Sequence, residues 1–310
     1  MPLRPRASRQ SGATQAPGSH SRDRLQAALR GSLALRVFSA IVALPIVIVL
    51  IIQGGPPLAA LVSLVLAAAV LEFGLGIGLS RRDPVLWIAL TGAVAMTAVA
   101  LTNDIPTAWP FSAAVVALVA APVLQKLVHE WGQPADDAAA IVPFNALYQR
   151  TAAGLVALVY IGWLGSFFVL VRELPQGEEW LLLGVFAVMA TDTSAFAVGK
   201  LIGRRPMAPR ISPRKTVEGG VGGLLAGFAA VLLINLLPDL DVAVWKMVLL
   251  GIALPLMAIA GDLSESVVKR ALNVKDFSQI IPGHGGVLDR LDSLLFGVPT
   301  VYFFVRWIVL

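Results

Sequence analysis

The sequence has no cysteine and little charge. Its 310 residues include three histidines, and only 14% are Asp, Glu, Lys or Arg, against 57% that are hydrophobic. The absence of cysteine excludes disulfide bonds, thiolate metal sites and a cysteine nucleophile. The chain consists largely of apolar sequence, with a mean hydropathy of +0.80, which is typical of a protein embedded in a membrane.

Apolar segments of about twenty residues recur along the chain, and a helix of that length can cross a bilayer. They lie at 33–53, 57–79, 85–102, 108–128, 151–171, 179–199, 218–237, 242–260 and 288–309. The sequence therefore predicts an all-α polytopic integral membrane protein with about nine transmembrane helices. We divide it into N-terminal transmembrane helices at 33–144 and a C-terminal transmembrane catalytic region at 145–310.

The first residues, 1–32, are rich in Arg, Ser, Gly and Pro and lack apolar periodicity. They predict a disordered basic cytosolic tail rather than a signal peptide. A short basic helix on the membrane surface at 24–30 is the alternative for their later part.

The loop charges predict the orientation. With the tail in the cytosol, most Lys and Arg residues fall on its side, in the loops at 81–82, 126–150, 200–215 and 261–287. This distribution follows the positive-inside rule, and it explains the sequence pI of about 9.9 better than nucleic-acid binding does. Both large polar loops are therefore expected to face the cytosol. Three basic residues near the outer side are exceptions: Arg172, Lys246 and Arg306.

Charged residues near the C-terminus are the first candidate for chemistry. The run from Asp262 to Glu265 resembles a capping box and predicts a short helix that starts there and stops near Asn273. On that helix Ser266, Lys269 and Arg270 would share one face. A solvated cytosolic face could also carry them there.

A glycine-rich turn follows at 282–286, with backbone N–H groups available to anions. The next helix is predicted to begin near Val287 and to carry Asp289 and Asp292 on neighbouring positions. Together with Asp262 they form a credible Mg²⁺ site. The histidine of the turn, His284, could be a metal ligand, an acid or base, or a hydrogen-bond donor to phosphate, and the phosphate contact is favoured.

A second group of polar residues begins at Asp192, inside an apolar span. An acid there is functional by default, although a hydrogen bond to a neighbouring helix is the alternative. The basic run at 204–219 mixes cations, hydroxyls and prolines, which suits a rigid loop that binds triphosphate or an anionic head group. Its last glycines, at 219–223, indicate close helix packing rather than phosphate binding. Glu72 is a weaker intramembrane acid, interpreted as a packing or gating carboxylate outside the core site.

At these residues the chain closely resembles the phosphatidate cytidylyltransferase (CDP-diacylglycerol synthase) family. That family's signature reads Ser-x-apolar-Lys-Arg, four residues, Lys-Asp, then Pro-x-His-Gly-Gly-apolar-x-Asp-Arg-apolar-Asp. Every element is present from Ser266 through Asp292. The family's run Gly-Asp-Leu-Phe-Glu-Ser appears just before it, with Ser264 in place of Phe.

The family's upstream pattern, Asp-Thr-Gly-Ala-Tyr followed by Pro-Arg-Val-Ser-Pro-x-Lys-Thr-Trp-Glu-Gly, starts at Asp192. The chain departs from it at Ser194 for Gly, Phe196 for Tyr and Val217 for Trp. These changes lie beside the presumed ligands and bear on substrate preference. The resemblance is close over 145–310, whereas the earlier residues match only as apolar spans.

The resemblance implies a membrane nucleotidyltransferase of phospholipid biosynthesis that condenses CTP with phosphatidic acid to give CDP-diacylglycerol and pyrophosphate. It also implies Mg²⁺ with a potassium ion beside it, a homodimer, and a cytosol-facing funnel in the bacterial cell (inner) membrane. The catalytic residues it implies are Asp262, Lys269, Asp289 and Asp292, with the three aspartates as metal ligands. The substrate-binding residues are Asp192, Arg210, Ser212, Lys215, Thr216, Ser266, Arg270, Lys275, His284, Gly285, Gly286 and Arg290.

Two other classes of protein fit part of the pattern. An ion-coupled transporter would also place Asp192 and Glu72 in the bilayer, but it leaves the Lys, Gly and Asp motif unexplained. A CDP-alcohol phosphatidyltransferase also acts on CDP-lipids, but its Asp-Gly-x-x-Ala-Arg spacing is missing from this sequence. A family member that has lost activity is disfavoured by the intact aspartates.

Overall fold

A computed structural model describes most of the chain. The described residues are 43–102, 107–130, 144–236, 240, 242–272, 274, 277 and 286–310. The predictions for the tail at 1–32 and its basic helix, for the helix stop at Asn273, and for Lys275, His284 and Gly285 fall outside these residues.

The described chain is almost entirely helical, with one β-hairpin between two long helices. The helices are α1 (Ala43–Gln53), α2 (Gly55–Gly76), α3 (Pro84–Ala100), α4 (Ala108–Glu130), α5 (Phe144–Val156), the π-helical segment π1 (Ala157–Trp163), α6 (Leu164–Arg172), α7 (Gly177–Ile202), α8 (Val217–Ile234), α9 (Val244–Ala271), α10 (Leu288–Leu291), α11 (Leu294–Phe304) and the π-helical segment π2 (Val305–Val309). The strands are β1 (Pro206–Ala208) and β2 (Ser212–Thr216).

Among the described residues, six helical segments are long and apolar enough to cross a membrane. They are Gly55–Gly76, Gln149–Arg172, Gly177–Ile202, Val217–Ile234, Val244–Ala271 and Leu288–Val309. Three shorter apolar helices, at Ala43–Gln53, Pro84–Ala100 and Ala108–Ala121, coincide with the remaining predicted segments. The prediction of a helical membrane protein is therefore confirmed.

Local sequence signals explain where two of the helices begin. Asp83 precedes α3, and its carboxylate accepts a hydrogen bond from the backbone N–H of Val85 at 3.0 Å, while Pro84 occupies the first helical position. Thr216 caps α8 in the same way, because its hydroxyl accepts from the N–H of Gly219 at 3.1 Å. Both residue types supply an acceptor to N–H groups that have no partner within the helix.

The predicted helix start at Asp262 is wrong. Helix α9 is continuous over 28 residues, from Val244 to Ala271, and passes through Asp262 without a break. The hydroxyl of Ser264 donates to the carbonyl of Ala260, one turn earlier, at 2.7 Å. A capping box forms only where the chain enters the helix from a non-helical residue, and no glycine or proline interrupts the helix between Asp262 and its end. The polar end of α9 is thus a rigid extension of its apolar part.

Helix α8 lies directly against α7 along a row of small residues. A Cβ atom added at Gly223 would lie 2.8 Å from the carbonyl oxygen of Thr191, and one at Gly219 would lie 2.6 Å from that of Ala195. Residues four apart share one helix face, so these glycines let the two backbones approach closely. The packing interpretation of the 219–223 glycines is confirmed for these two positions.

The predicted rigid loop before α8 is a β-hairpin. Strands β1 and β2 pair antiparallel, with Pro206 opposite Thr216 and Ala208 opposite Ser212. The carboxylate of Glu218 accepts hydrogen bonds from two backbone N–H groups at the start of the hairpin, at 3.0 and 3.2 Å. The hairpin is therefore fastened to the first turn of α8, and it holds the residues of β2 at a fixed position beside the ends of α7 and α9.

Candidate active site

A cavity of about 590 Å³ lies between α7, the hairpin, the polar end of α9 and the start of α10 and α11. It brings together seven residues that were predicted from distant parts of the sequence: Asp192, Ser212, Lys215, Thr216, Asp262, Asp289 and Asp292. The two polar groups recognised in the sequence thus form opposite walls of one site.

Three carboxylates converge at one side of this cavity. Side-chain oxygen atoms of Asp262, Glu265 and Asp292 all lie within 4.8 Å of one another. Asp262 and Glu265 are three residues apart on α9, so they share a face. Glu265 is only 3% exposed. The structure thus adds Glu265 to the acids predicted for the metal site. Its spacing of three residues from Asp262 was visible in the sequence, but that spacing was interpreted as a capping box.

Gly261 allows Asp292 to reach this position. A Cβ atom at Gly261 would lie 2.5 Å from the carbonyl oxygen of Asp292 and 3.2 Å from the Cβ of Phe296. The break between α10 and α11 therefore packs directly on the backbone of α9, one residue before Asp262. Only glycine permits such a close approach of two main chains.

Lys215 extends from β2 to the carboxylate cluster. Its Nζ lies 2.5 Å from Oδ1 of Asp262 and 3.5 Å from the hydroxyl of Ser266. Both charged side chains are about one-quarter to one-third exposed, so the pair borders the cavity rather than the protein interior. The hairpin thereby supplies a cation at the edge of the acidic cluster.

Lys269 joins the cluster to Asp289. Its Nζ donates to Oε2 of Glu265 at 3.0 Å and to Oδ1 of Asp289, and it lies 5.7 Å from the ring centre of Phe277. The other oxygen of Asp289 accepts from the backbone N–H of Gly286 at 2.9 Å. Although Asp289 and Asp292 were predicted to act together, their carboxylates have different partners. Asp292 joins the acidic cluster, and Asp289 fixes Lys269 and the backbone at Gly286.

Asp192 faces the cavity from α7, where its side chain is exposed. Its Oδ1 accepts a hydrogen bond from the hydroxyl of Ser293 at 3.1 Å. Both sequence interpretations of this acid therefore describe part of its environment, because it borders the polar site and also bonds a neighbouring segment. Ser293, directly after Asp292, was not predicted.

Glu72 reaches Gly286 and Val287 from α2. The residue is 1% exposed, and its Oε2 accepts a hydrogen bond from the backbone N–H of Val287 at 2.6 Å. A Cβ atom at Gly286 would collide with the Glu72 carboxylate. Sequence reasoning left Glu72 outside the core site. Its position as an acid within an apolar span was the available signal.

The remaining predicted residues lie around the cavity rather than along it. Arg270 donates from Nε to the carbonyl of Ile211 at 3.2 Å and so braces the tip of the hairpin. Arg210 is exposed in the hairpin turn, and Arg290 is exposed on α10. Ser266 contacts the site through its bond with Lys215.

Two basic residues that line the cavity were missed from the sequence. Lys200 lies in the last turn of α7, and Arg214 lies on β2 next to Lys215. Other lining residues that were not predicted are Ala195, Phe196, Gly199, Met207, Gly219, Gly220, Ile259 and Ser293. Both cations belong to a basic run that also serves as a topology signal. Composition alone therefore did not distinguish site residues from basic residues that only set the orientation in the membrane.

The carboxylate cluster fits a hard divalent cation. Oxygen ligands from Asp and Glu are those that Mg²⁺ and Ca²⁺ prefer. Within the described part of the chain, Oε1 of Glu265 is buried and has no hydrogen-bond partner. A buried carboxylate oxygen is costly unless it is bonded or coordinates a metal. The site thus has the donor atoms, and one unsatisfied acceptor, that a cation would use.

The fold and this cavity define a helical membrane protein with an acidic cluster and basic side chains around one polar site. A sequence model of the Cytidylyltransferase family matches residues 34–308, so the chain belongs to that family. The match confirms the family resemblance at residues 192–219 and 266–292.

Curated relatives extend this comparison. The chain is 38% identical over 154 residues to a phosphatidate cytidylyltransferase of Staphylococcus saprophyticus. The aligned region covers 50% of this chain and 58% of the relative. It is 39% identical over 149 residues to the phosphatidate cytidylyltransferase of Bacillus subtilis, covering 48% and 55% respectively. The aligned part of the chain thus spans somewhat more than half the length of these relatives.

Proposed function

We propose that the protein is a phosphatidate cytidylyltransferase, which condenses CTP with phosphatidic acid to give CDP-diacylglycerol and pyrophosphate. The observation that carries this proposal is the joining of the hairpin cations to the acidic cluster, through Lys215 and Asp262, at 2.5 Å. The printed names of the relatives support the same activity. A site with clustered acids beside basic side chains suits the reaction of two polyanionic substrates.

In this reaction a phosphate oxygen of phosphatidate attacks the α-phosphorus of CTP. The bond from the α-phosphorus to the bridging oxygen of the β-phosphate breaks, and pyrophosphate leaves with the electron pair. Because the nucleophile is already anionic, the site needs no strong general base. Its main task is to lower the repulsion between the two substrates and align them.

The cavity offers separate groups for these tasks. Lys200, Arg214 and Lys215 line it and are suited to neutralise phosphate oxygens. Ser212 contributes a hydroxyl from the same strand as Lys215. Lys269 is held by Glu265 and Asp289, so its charge is fixed at the inner end of the site rather than free to follow a substrate.

We assign Asp262, Glu265 and Asp292 as the residues that would hold Mg²⁺. When bound, the cation would neutralise negative charge on the reacting phosphates. Asp289, which was first predicted as a third metal ligand, is assigned to the positioning of Lys269. A potassium ion beside the Mg²⁺ and a homodimeric assembly complete the proposal, and both rest on the family resemblance.

We further propose nine transmembrane helices, with the site facing the cytoplasm of a bacterial cell and the chain in its inner membrane. The Lys and Arg residues of the loops at 81–82, 126–150 and 200–215 support this orientation. The soluble substrate, CTP, is cytoplasmic, and phosphatidic acid would enter from the membrane lipids.

The direct test is transfer of radiolabelled CMP from CTP to phosphatidate by the purified protein in lipid-containing detergent micelles. The expected result is CDP-diacylglycerol and an equal amount of pyrophosphate, both dependent on added Mg²⁺. Solute uptake into proteoliposomes without a lipid product would contradict the proposal and favour a transporter. Consumption of CDP-diacylglycerol in the presence of an alcohol would favour a phosphatidyltransferase.

A further inference from the structure

Tyr160 lies in the π-helical segment π1, in the middle of a membrane-length helix. Its side chain is only 9% exposed. Its ring contacts Phe296, with 6.1 Å between the ring centres. Phe296 in turn packs on Gly261, the residue before Asp262. A π-helical turn inserts an extra residue into an α-helix and frequently occurs at functional sites.

The hydroxyl of Tyr160 is buried and has no hydrogen-bond partner among the residues that the structure describes. Buried tyrosine hydroxyls usually find a partner, because an unbonded polar group in the interior is costly. For packing alone, phenylalanine would fill the same space without this cost. The hydroxyl therefore points to a function that the packing does not explain.

Through Phe296 and Gly261 the ring lies beside the acidic cluster, where the carboxylates of Glu265, Asp292 and Asp262 are close enough to interact with the hydroxyl electrostatically. They are the same three residues whose oxygen atoms converge within 4.8 Å. One oxygen of this cluster, Oε1 of Glu265, is also buried and has no hydrogen-bond partner in the described chain. A donor and an acceptor, each without a hydrogen-bond partner in the described chain, thus belong to one acidic site.

We propose that Tyr160 is a positioning residue of the cation site, whose hydroxyl hydrogen-bonds to the oxygen ligands around a divalent cation held by Asp262, Glu265 and Asp292. The inference rests on the proposed function, because it uses the same cation cluster. A bond of this kind would satisfy both buried groups at once and fix the orientation of the Glu265 carboxylate.

The test compares Tyr160→Phe with Tyr302→Phe in the full-length purified protein. Tyr302 is a half-buried tyrosine on another membrane-length helix, and its ring packs against Phe167 and Phe303, in an aromatic cluster. Binding of Mn²⁺ alone is measured from the electron paramagnetic resonance signal of the free ion. Loss of an outer partner of a metal site typically weakens metal affinity by ~10-fold or more. We expect that loss in Y160F and wild-type affinity in Y302F.

Thermal unfolding separates positioning from a structural role. If the hydroxyl serves only the cation site, Y160F without cation should have the wild-type melting temperature or a higher one. Adding Mn²⁺ should then raise the melting temperature of Y160F less than that of the wild type. Equal Mn²⁺ affinity in Y160F and wild type overturns the inference. Failure of Y160F to fold, where Y302F folds, overturns it too, because the hydroxyl would then support the fold.

The same measurements separate this inference from the proposed function. Wild-type protein that transfers CMP but binds no Mn²⁺ overturns the cation cluster and the role of Tyr160 together. Wild-type protein that binds Mn²⁺, with Y160F binding it equally well, overturns the role of Tyr160 alone. A KM for Mg²⁺ that rises in Y160F while the KM for CTP stays unchanged supports the inference.

Discussion

Glu72 and Val287 are joined by a 2.6 Å hydrogen bond, although they lie 215 positions apart in the chain. The carboxylate comes from the apolar helix α2, and the N–H group belongs to the residue just before α10. An acid of the N-terminal region thereby fixes the segment that carries Asp289 and Asp292. The catalytic region predicted at 145–310 is therefore completed by a residue from outside it.

Replacing Glu72 by Ala should lower CMP transfer strongly. The variant leaves the N–H of Val287 without its buried acceptor, which typically costs about 1–3 kcal/mol, and it loosens the start of α10, which carries Asp289. Glu72→Gln keeps a carbonyl oxygen as acceptor and should retain more activity. Steady-state kcat and KM for CTP give the comparison, with Glu179→Ala on α7 as a control. Equal activity in the Ala and Gln variants would show that the bond to Val287 has no role in the site.

The two aspartates of α10 and the following turn should respond differently to neutralisation. Asp292→Asn removes a charge from the acidic cluster and should weaken Mn²⁺ binding by about 10-fold or more. Asp289→Asn loosens Lys269 instead, so it should lower kcat with Mn²⁺ affinity near that of wild type. Direct Mn²⁺ binding alongside CMP transfer distinguishes the two. If Asp289→Asn loses cation affinity as fully as Asp292→Asn, then both aspartates are metal ligands, as first predicted.

Lys215 should matter far more than Arg210, although both lie in the same basic run. Lys215 lines the cavity and contacts Asp262, whereas Arg210 is exposed in the hairpin turn. Lys215→Met should reduce kcat/KM for CTP by about 100-fold, the usual scale for loss of a charge-stabilising group. Arg210→Met should change it only a few-fold, within the range of about 1 kcal/mol for exposed charges. The opposite order would mean that the hairpin turns its outer face to the substrate.

Helix packing can be tested with two glycines of α8. A Cβ at Gly223 would press on the main chain of Thr191, whereas one at Gly220 would meet the flexible end of Met207. Gly223→Ala should destabilise the protein by about 1–3 kcal/mol, the usual cost of overpacking, and Gly220→Ala by less. Thermal unfolding in the same detergent compares them. Similar melting temperatures would indicate that α7 and α8 can move apart without loss of stability.

Much of the architecture could be predicted from the sequence. Apolar runs of membrane length identify helices without knowledge of their neighbours, because each helix satisfies its own backbone hydrogen bonds in the bilayer. The polar residues at 192–215 and 262–292 could be recognised because they interrupt these apolar runs. The predicted start of a helix at Asp262 failed because a capping pattern is also compatible with a continuing helix.

The sequence by itself determined the helices, the class of membrane protein and most of the acids and cations that meet in the cavity. Only the tertiary structure decided how they are paired. Asp289 lies on the short helix α10 and Asp292 directly follows it, yet one bonds Lys269 and the other joins Asp262 and Glu265. Glu72 reaches the segment before α10 from a helix far away in the chain. Contacts of this kind depend on close helix approach at residues such as Gly261, and spacing along one segment does not contain that information.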